Sequence, residues 1–149
     1  MILKESRKRT WKDRKEYKAS EREIEKWEHQ YQELFAIFNR LYFSDRLPFY
    51  RVSLHDGLDV PGIPPDMSKY VAGYCDKKRH RIDLEAFPFP KGQSILLHEM
   101  AHVASNVHHG PKFCQEMERL AAARAPIGKL NMMNYVAGLD IHEGHSKAE

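Results

Sequence analysis

Residues 93–106 read Gln93-Ser94-Ile95-Leu96-Leu97-His98-Glu99-Met100-Ala101-His102-Val103-Ala104-Ser105-Asn106. Pro88 and Pro90 separate this stretch from what precedes it, and it reads as one helix. Inside it, His98-Glu99-Met100-Ala101-His102 is an H-E-x-x-H motif. Four residues of α-helix turn through about 400°, so the two imidazoles stand one turn apart on the same face. From there both can reach one zinc ion at about 2.0–2.1 Å. Glu99 lies beside them, placed to hold and deprotonate a water at the metal without being a ligand. Ile95, Leu96, Met100 and Val103 form an apolar face that can pack inside. The competing account is a half-buried helix with two incidental histidines, and the spacing in this setting favours the metal site.

A catalytic zinc usually takes a third protein ligand and keeps one position open for water. The downstream candidates are His108, His109, Cys114, Glu116 and Glu118. On an unbroken helix His109 would share the face of His102 but lie about 10.5 Å further along. The chain must therefore break and fold back, and Asn106 with Gly110-Pro111 supplies the means. His108 stands six residues after His102, the metzincin spacing, but that motif needs Gly where this chain has Ser105. His109 is preferred, with His108 and Glu116 as alternatives; Cys114 reads most simply as a small buried side chain.

Working outward from the motif, the remaining elements follow from periodicity. Ile24, Trp27, Tyr31, Leu34, Phe35, Phe38, Leu41 and Tyr42 recur at three- and four-residue steps, one face of a long amphipathic helix. Ser44-Asp45 and Pro48 close it. Phe49 to Leu54 reads as a strand, and residues 56–68, with three prolines and two glycines, as a long loop. Tyr70 to Cys75 and Arg81 to Leu84 read as a hairpin with Asp76–His80 at its tip. After the motif helix, Pro111 suits the first turn of a further helix running to Ala123. The expected fold is α+β: a long N-terminal helix, a small antiparallel sheet with a β-hairpin, the H-E-x-x-H helix and a second C-terminal helix. The expected division is a basic arm or solvated helix over 1–22, a catalytic domain over 23–125, and a weakly patterned tail over 126–149.

Composition bounds the function. With 149 residues, 42% hydrophobic and 30% charged, the chain suits one globular domain with an arm. Its apolar runs are far too short to cross a bilayer, and Met1–Glu5 lacks the apolar core of a secretory signal. Two cysteines exclude both a disulfide scaffold and a four-cysteine zinc ribbon. The expectation is a reduced, cytoplasmic or nucleoid-associated protein that is not secreted. The net charge of +3 has one address: residues 1–30 hold ten Lys/Arg against seven Asp/Glu, and the rest balance at 14 of each. Residues 1–18 are sharper still, with eight basic side chains against three acidic.

A basic arm on a neutral body points toward an acidic polymer as partner. Arg7, Lys8, Arg9, Lys12, Arg14 and Lys15, with Trp11 and Tyr17 among them, could bind phosphates and stack bases; the plainer account is a solvated arm. Lys77, Lys78 and Arg79 at the hairpin tip are the second group of candidate nucleic-acid contacts.

Three motifs in order carry a family resemblance. Leu34-Phe35-Ala36-Ile37-Phe38-Asn39-Arg40-Leu41-Tyr42-Phe43-Ser44-Asp45-Arg46-Leu47-Pro48 resembles the opening helix and LP turn of SprT-like (Spartan-type) zinc metalloprotease domains. Val71-Ala72-Gly73-Tyr74-Cys75 followed by Ile82-Asp83-Leu84 is similar to that family's hairpin. His98-Glu99-Met100-Ala101-His102 followed by His109-Gly110-Pro111-Lys112-Phe113 resembles its H-E-x-x-H…H-G-x-x-F signature. The resemblance covers about residues 30–120. It implies a zincin-like fold and a zinc-dependent endoprotease with one Zn²⁺, His98, His102 and His109 as ligands and Glu99 as catalytic base. It also implies a protein or peptide substrate, and DNA as activator, since the best-known members cleave proteins trapped on DNA. Many members carry a downstream cysteine-rich zinc ribbon, and here no cysteine follows Cys114. Two other function classes stand beside this one: a zinc hydrolase of another bond on the same scaffold, and a non-catalytic zinc-stabilised nucleic-acid-binding module. Glu99 argues against the last, because a structural site needs no base.

Overall fold

Ser20 starts the first helix. Its hydroxyl accepts from the Glu23 N–H at 3.2 Å, and the Glu23 carboxylate accepts from the Ser20 N–H at 3.1 Å, a capping box. Helix α1 runs from there over Glu21–Phe43. It ends where Ser44 and Asp45 take left-handed backbone angles, φ 53° and 57°. Asn39 holds that turn from within the helix: its side-chain amide donates to the Leu47 carbonyl and accepts from the Leu47 N–H. The computed structural model describes residues 18–60, 62–63, 71–106 and 108–128.

Three strands follow, β1 (Arg51–His55), β2 (Gly73–Asp76) and β3 (Arg81–Glu85), then helices α2 (Gln93–Ala104) and α3 (Pro111–Ala122). The fold is α+β, as expected, but the sheet is mixed and not antiparallel. β2 and β3 form the expected antiparallel hairpin, pairing Gly73 with Leu84 and Cys75 with Ile82. β1, however, runs parallel to β3, Val52 beside Ile82 and Leu54 beside Leu84, in the order β1-β3-β2. The second hairpin strand takes the centre because Ile82 and Leu84 are its most deeply buried side chains, and a central strand gains neighbours on both sides. The chain therefore passes from β1 to the far edge before it returns through the middle.

β1 needs no second partner strand, because α1 closes its outer edge with side chains. Gln32 donates to the Tyr50 carbonyl at 3.0 Å and accepts from the Val52 N–H at 2.8 Å. Glu28, one turn earlier, accepts from the Leu54 N–H at 2.9 Å. An i, i+4 pair on a helix thus does for β1 what a partner strand would do.

One core joins all the elements. Tyr31, Phe35, Phe38 and Phe43 of α1 pack with Val52, Leu54, Ile82 and Leu84 of the sheet, with Leu96, Leu97 and Met100 of α2, and with Phe113, Met117 and Leu120 of α3. Each such side chain, fully buried, stabilises the fold by about 1.5–3 kcal/mol before entropy is counted. A smaller cluster of Leu58, Val60, Val71 and Tyr74 ties down the start of the loop after β1. The Glu85 carboxylate anchors that loop by accepting from the Gly57 and Leu58 N–H groups. Among the described residues no helix is long and apolar enough to cross a membrane.

Candidate metal centre

The H-E-x-x-H helix is buried on every side. Leu96 through His102 are seven consecutive buried residues of α2, so the helix expected to pack one apolar face inside is buried well beyond that face. Its start is pinned by α1: the Tyr31 hydroxyl accepts from the Gly92 N–H at 2.8 Å and faces the Phe87 and Pro88 carbonyls at 3.1 Å. Gly92 is required there, since a Cβ would lie 2.9 Å from that hydroxyl oxygen.

The helix ends as the site needs it to end. The Ser105 hydroxyl donates back to the Ala101 carbonyl at 2.6 Å. The next carbonyl, that of Asn106, lies 2.8 Å from His102 Nδ1. A carbonyl can only accept, so Nδ1 carries the proton and Nε2 presents its lone pair to the cavity. The Asn106 side chain then accepts from the His108 N–H at 3.2 Å, turning the chain back on itself. Gly110 and Pro111 start α3 immediately afterwards.

This return brings His109 to the other two histidines. Its Nε2 stands 3.2 Å from His98 Nε2 and 3.0 Å from His102 Nε2. The three ligand atoms all lie within 4.8 Å of one another, a group able to hold one metal ion. Nitrogen ligands about 2.0–2.1 Å from a tetrahedral ion stand about 3.3 Å apart, so the donor set and its spacing fit zinc. Phe113 lies against all three rings: it stacks on His102 with centroids 4.2 Å apart and meets His98 and His109 at 4.9 and 4.7 Å. A flat apolar ring on three imidazoles limits how each can turn.

Glu99 is fully buried beside this cluster, and burial holds its carboxyl well above the usual range. The β2 backbone lies directly over it. A Cβ on Gly73 would sit 2.8 Å from Glu99 Oε2 and 2.8 Å from Ile95 Cγ2. Burial, with the Glu99 carboxylate nearby, also pushes the Cys75 thiol up, so the one fully buried cysteine is an inert core group.

The other candidates separate cleanly. His108 is exposed, and Glu116 is engaged by Arg119, whose Nη2 lies 2.6 Å from its carboxylate. Cys114 is half-buried and Glu118 exposed. Of the candidate nucleic-acid contacts, Lys78 and Arg79 are exposed at the hairpin tip, while Lys77 turns inward and donates to the Ser105 carbonyl at 3.0 Å. Arg7, Lys8, Arg9, Lys12, Arg14 and Lys15 lie outside the described residues. Three contributors were not apparent from residue types: the Asn106 carbonyl, the Phe113 ring as a floor, and the backbone at Gly73. Gly73 had a signal of its own, since a glycine inside a strand often marks a close approach, and Phe113 had one as the last residue of the H-G-x-x-F stretch.

A buried H-E-x-x-H helix with a third histidine folded back onto it makes this an α+β protein whose three clustered histidines could hold a metal ion. The chain belongs to the SprT-like family, whose sequence model matches residues 31–135, more than two thirds of its length. No curated protein and no solved structure matches it.

Proposed function

We propose that this chain is a zincin-like, zinc-dependent endoprotease that acts on proteins bound or crosslinked to DNA. The observation that carries the metallopeptidase chemistry is the meeting of three imidazole nitrogens beside a buried carboxyl group, in a chain of the SprT-like family. His98, His102 and His109 would hold the ion. When bound, zinc supplies the Lewis acidity that makes water a nucleophile near neutral pH and polarises the scissile carbonyl.

The chain's own groups do the rest. Glu99 takes a proton from the attacking water on a carboxylate oxygen and hands it to the leaving nitrogen. The Asn106 carbonyl keeps His102 in the tautomer that presents Nε2. The substrate lies extended along β2 and adds to the sheet there, by main-chain hydrogen bonding. Two facts support that edge: α1 side chains occupy the edge of β1, and β2 is the strand whose Gly73 lies against Glu99. DNA as the scaffold of the substrate is supported by the charge of residues 1–18 and by the exposed Lys78 and Arg79.

The test compares wild type with Glu99→Gln on an unfolded protein and on a protein crosslinked to single-stranded DNA. Glu99→Gln is expected to retain zinc and lose about 10²–10⁴-fold in cleavage, the usual contribution of a positioned acid–base group. Equal cleavage by the two proteins would overturn the mechanism. If DNA is the partner, binding falls steeply with salt and weakens when residues 1–20 are deleted; indifference to both would remove DNA and leave the protease.

A further inference from the structure

Lys77 directly follows Asp76, the last residue of β2, in a turn whose next residues, Lys78 and Arg79, face solvent. Its own ammonium reaches 28 residues along the chain to the Ser105 carbonyl, at 3.0 Å. Ser105 is the C-cap of α2. The last carbonyls of a helix have no partners within it and form the negative end of its dipole, so a lysine there is both a donor and a countercharge. Ser105 has left helical geometry, with φ −118° and ψ −100°, and the chain bends at this residue. The next carbonyl, Asn106, thereby reaches His102 Nδ1. Between the Lys77 ammonium and the ligand nitrogen of His102 stand one short stretch of backbone and one imidazole ring.

We infer that Lys77 is a positioning residue for the metal centre. By holding the Ser105 carbonyl it fixes the backbone whose following carbonyl sets the tautomer and direction of His102, and from which the chain turns back to His109. The inference rests on the metal-centre assignment above and adds to it a tie between the substrate-side strand and the ligands. Because Lys77 is the residue after β2, a displacement of that strand's end reaches the turn behind His102 through one hydrogen bond.

The experiment titrates the metal-free 149-residue chain with Co²⁺, then competes it with Zn²⁺, reading the visible Co²⁺ absorption. Wild type, Lys77→Met and Lys77→Arg are compared, with thermal melts of all three in the metal-free state. Lys77→Met is expected to bind metal about tenfold more weakly with an altered Co²⁺ spectrum, the low end of the range for groups that orient a ligand. Its metal-free melting temperature is expected to stay within a few degrees of wild type. Lys77→Arg, which keeps a cationic donor, is expected to recover most of the affinity. Wild-type affinity and spectrum in Lys77→Met would overturn the inference, as would a loss that merely follows a loss of folding in the metal-free melt. A wild-type chain that binds neither Co²⁺ nor Zn²⁺ would instead defeat the metal-centre assignment, and this inference with it.

Discussion

Gly73 shows how little room the fold leaves around Glu99, the proposed general base. A single added methyl group would meet a Glu99 oxygen and an Ile95 methyl at 2.8 Å each and the Glu99 Cγ at 3.2 Å, and Glu99 is fully buried. Gly73→Ala is therefore expected to displace Glu99 while sparing the histidines. The expected outcome is zinc content like that of wild type and a loss of about 100-fold in kcat/KM, the scale of a 1 Å misplacement. Wild-type turnover would show that the strand or the carboxylate moves aside freely. His98 and His102 were legible from spacing alone because a helix fixes their relation within one turn. His109 was legible only as a preference over His108. What separates them is the course of the chain from Ser105 to Gly110, which depends on the Asn106 contacts.

At the scale of elements, the helices were read closely and the sheet was not. α1, α2 and α3 follow from apolar periodicity and proline placement, and the hairpin from two short runs around a charged tip. The parallel pairing of β1 with β3 had no local signal, since alternation within a strand says nothing of its neighbour's direction. The substitution of helix side chains for a strand at the β1 edge was equally hidden, because Glu28 and Gln32 look like ordinary polar positions on a helix. Their role predicts a cost. Gln32→Ala leaves the Val52 N–H and the Tyr50 carbonyl without their partner, and in this partly buried setting stability is expected to fall by about 1–3 kcal/mol. Urea denaturation of the metal-free protein measures it. A change under a few tenths of a kcal/mol would mean that water replaces the amide without loss.

At the scale of the molecule, a polar cluster on the sheet is expected to couple stability to pH apart from the three-histidine group. His55 Nε2 lies 2.7 Å from Asp83 Oδ1, joining β1 to β3, and Arg81 Nη2 lies 2.9 Å from the same oxygen. The hydrogen bond to Asp83 raises the His55 pKa against the opposing effect of burial. Burial works upward on Asp83, but its contacts with His55 and Arg81 outweigh it and lower its pKa. The raised histidine contributes stability that is fully present below its ordinary value of 6.5 and is lost as pH rises through the higher folded value. The lowered aspartate contributes stability present above its ordinary 3.8 and lost as pH falls through the lower folded value. The difference in melting temperature between wild type and His55→Gln is thus expected to be greatest between pH 3.8 and 6.5 and to shrink on both sides. A difference that does not vary with pH would show that the pair carries no linked charge.

The sequence by itself determined the helical periods, the hairpin, the i, i+4 histidine pair with its adjacent glutamate, and the resemblance to the family to which the chain belongs. Apart from the resemblance, these are properties of a few consecutive residues, set by backbone torsions that repeat every 3.6 or every two positions. The tertiary structure alone decided the parallel strand, the meeting of His109 with the other two histidines, the glycine against Glu99 and the lysine behind the helix end. Each joins groups far apart in the chain, Gly73 to Glu99 and Lys77 to Ser105 among them. Such contacts depend on how packed elements meet, and no local torsional pattern records that.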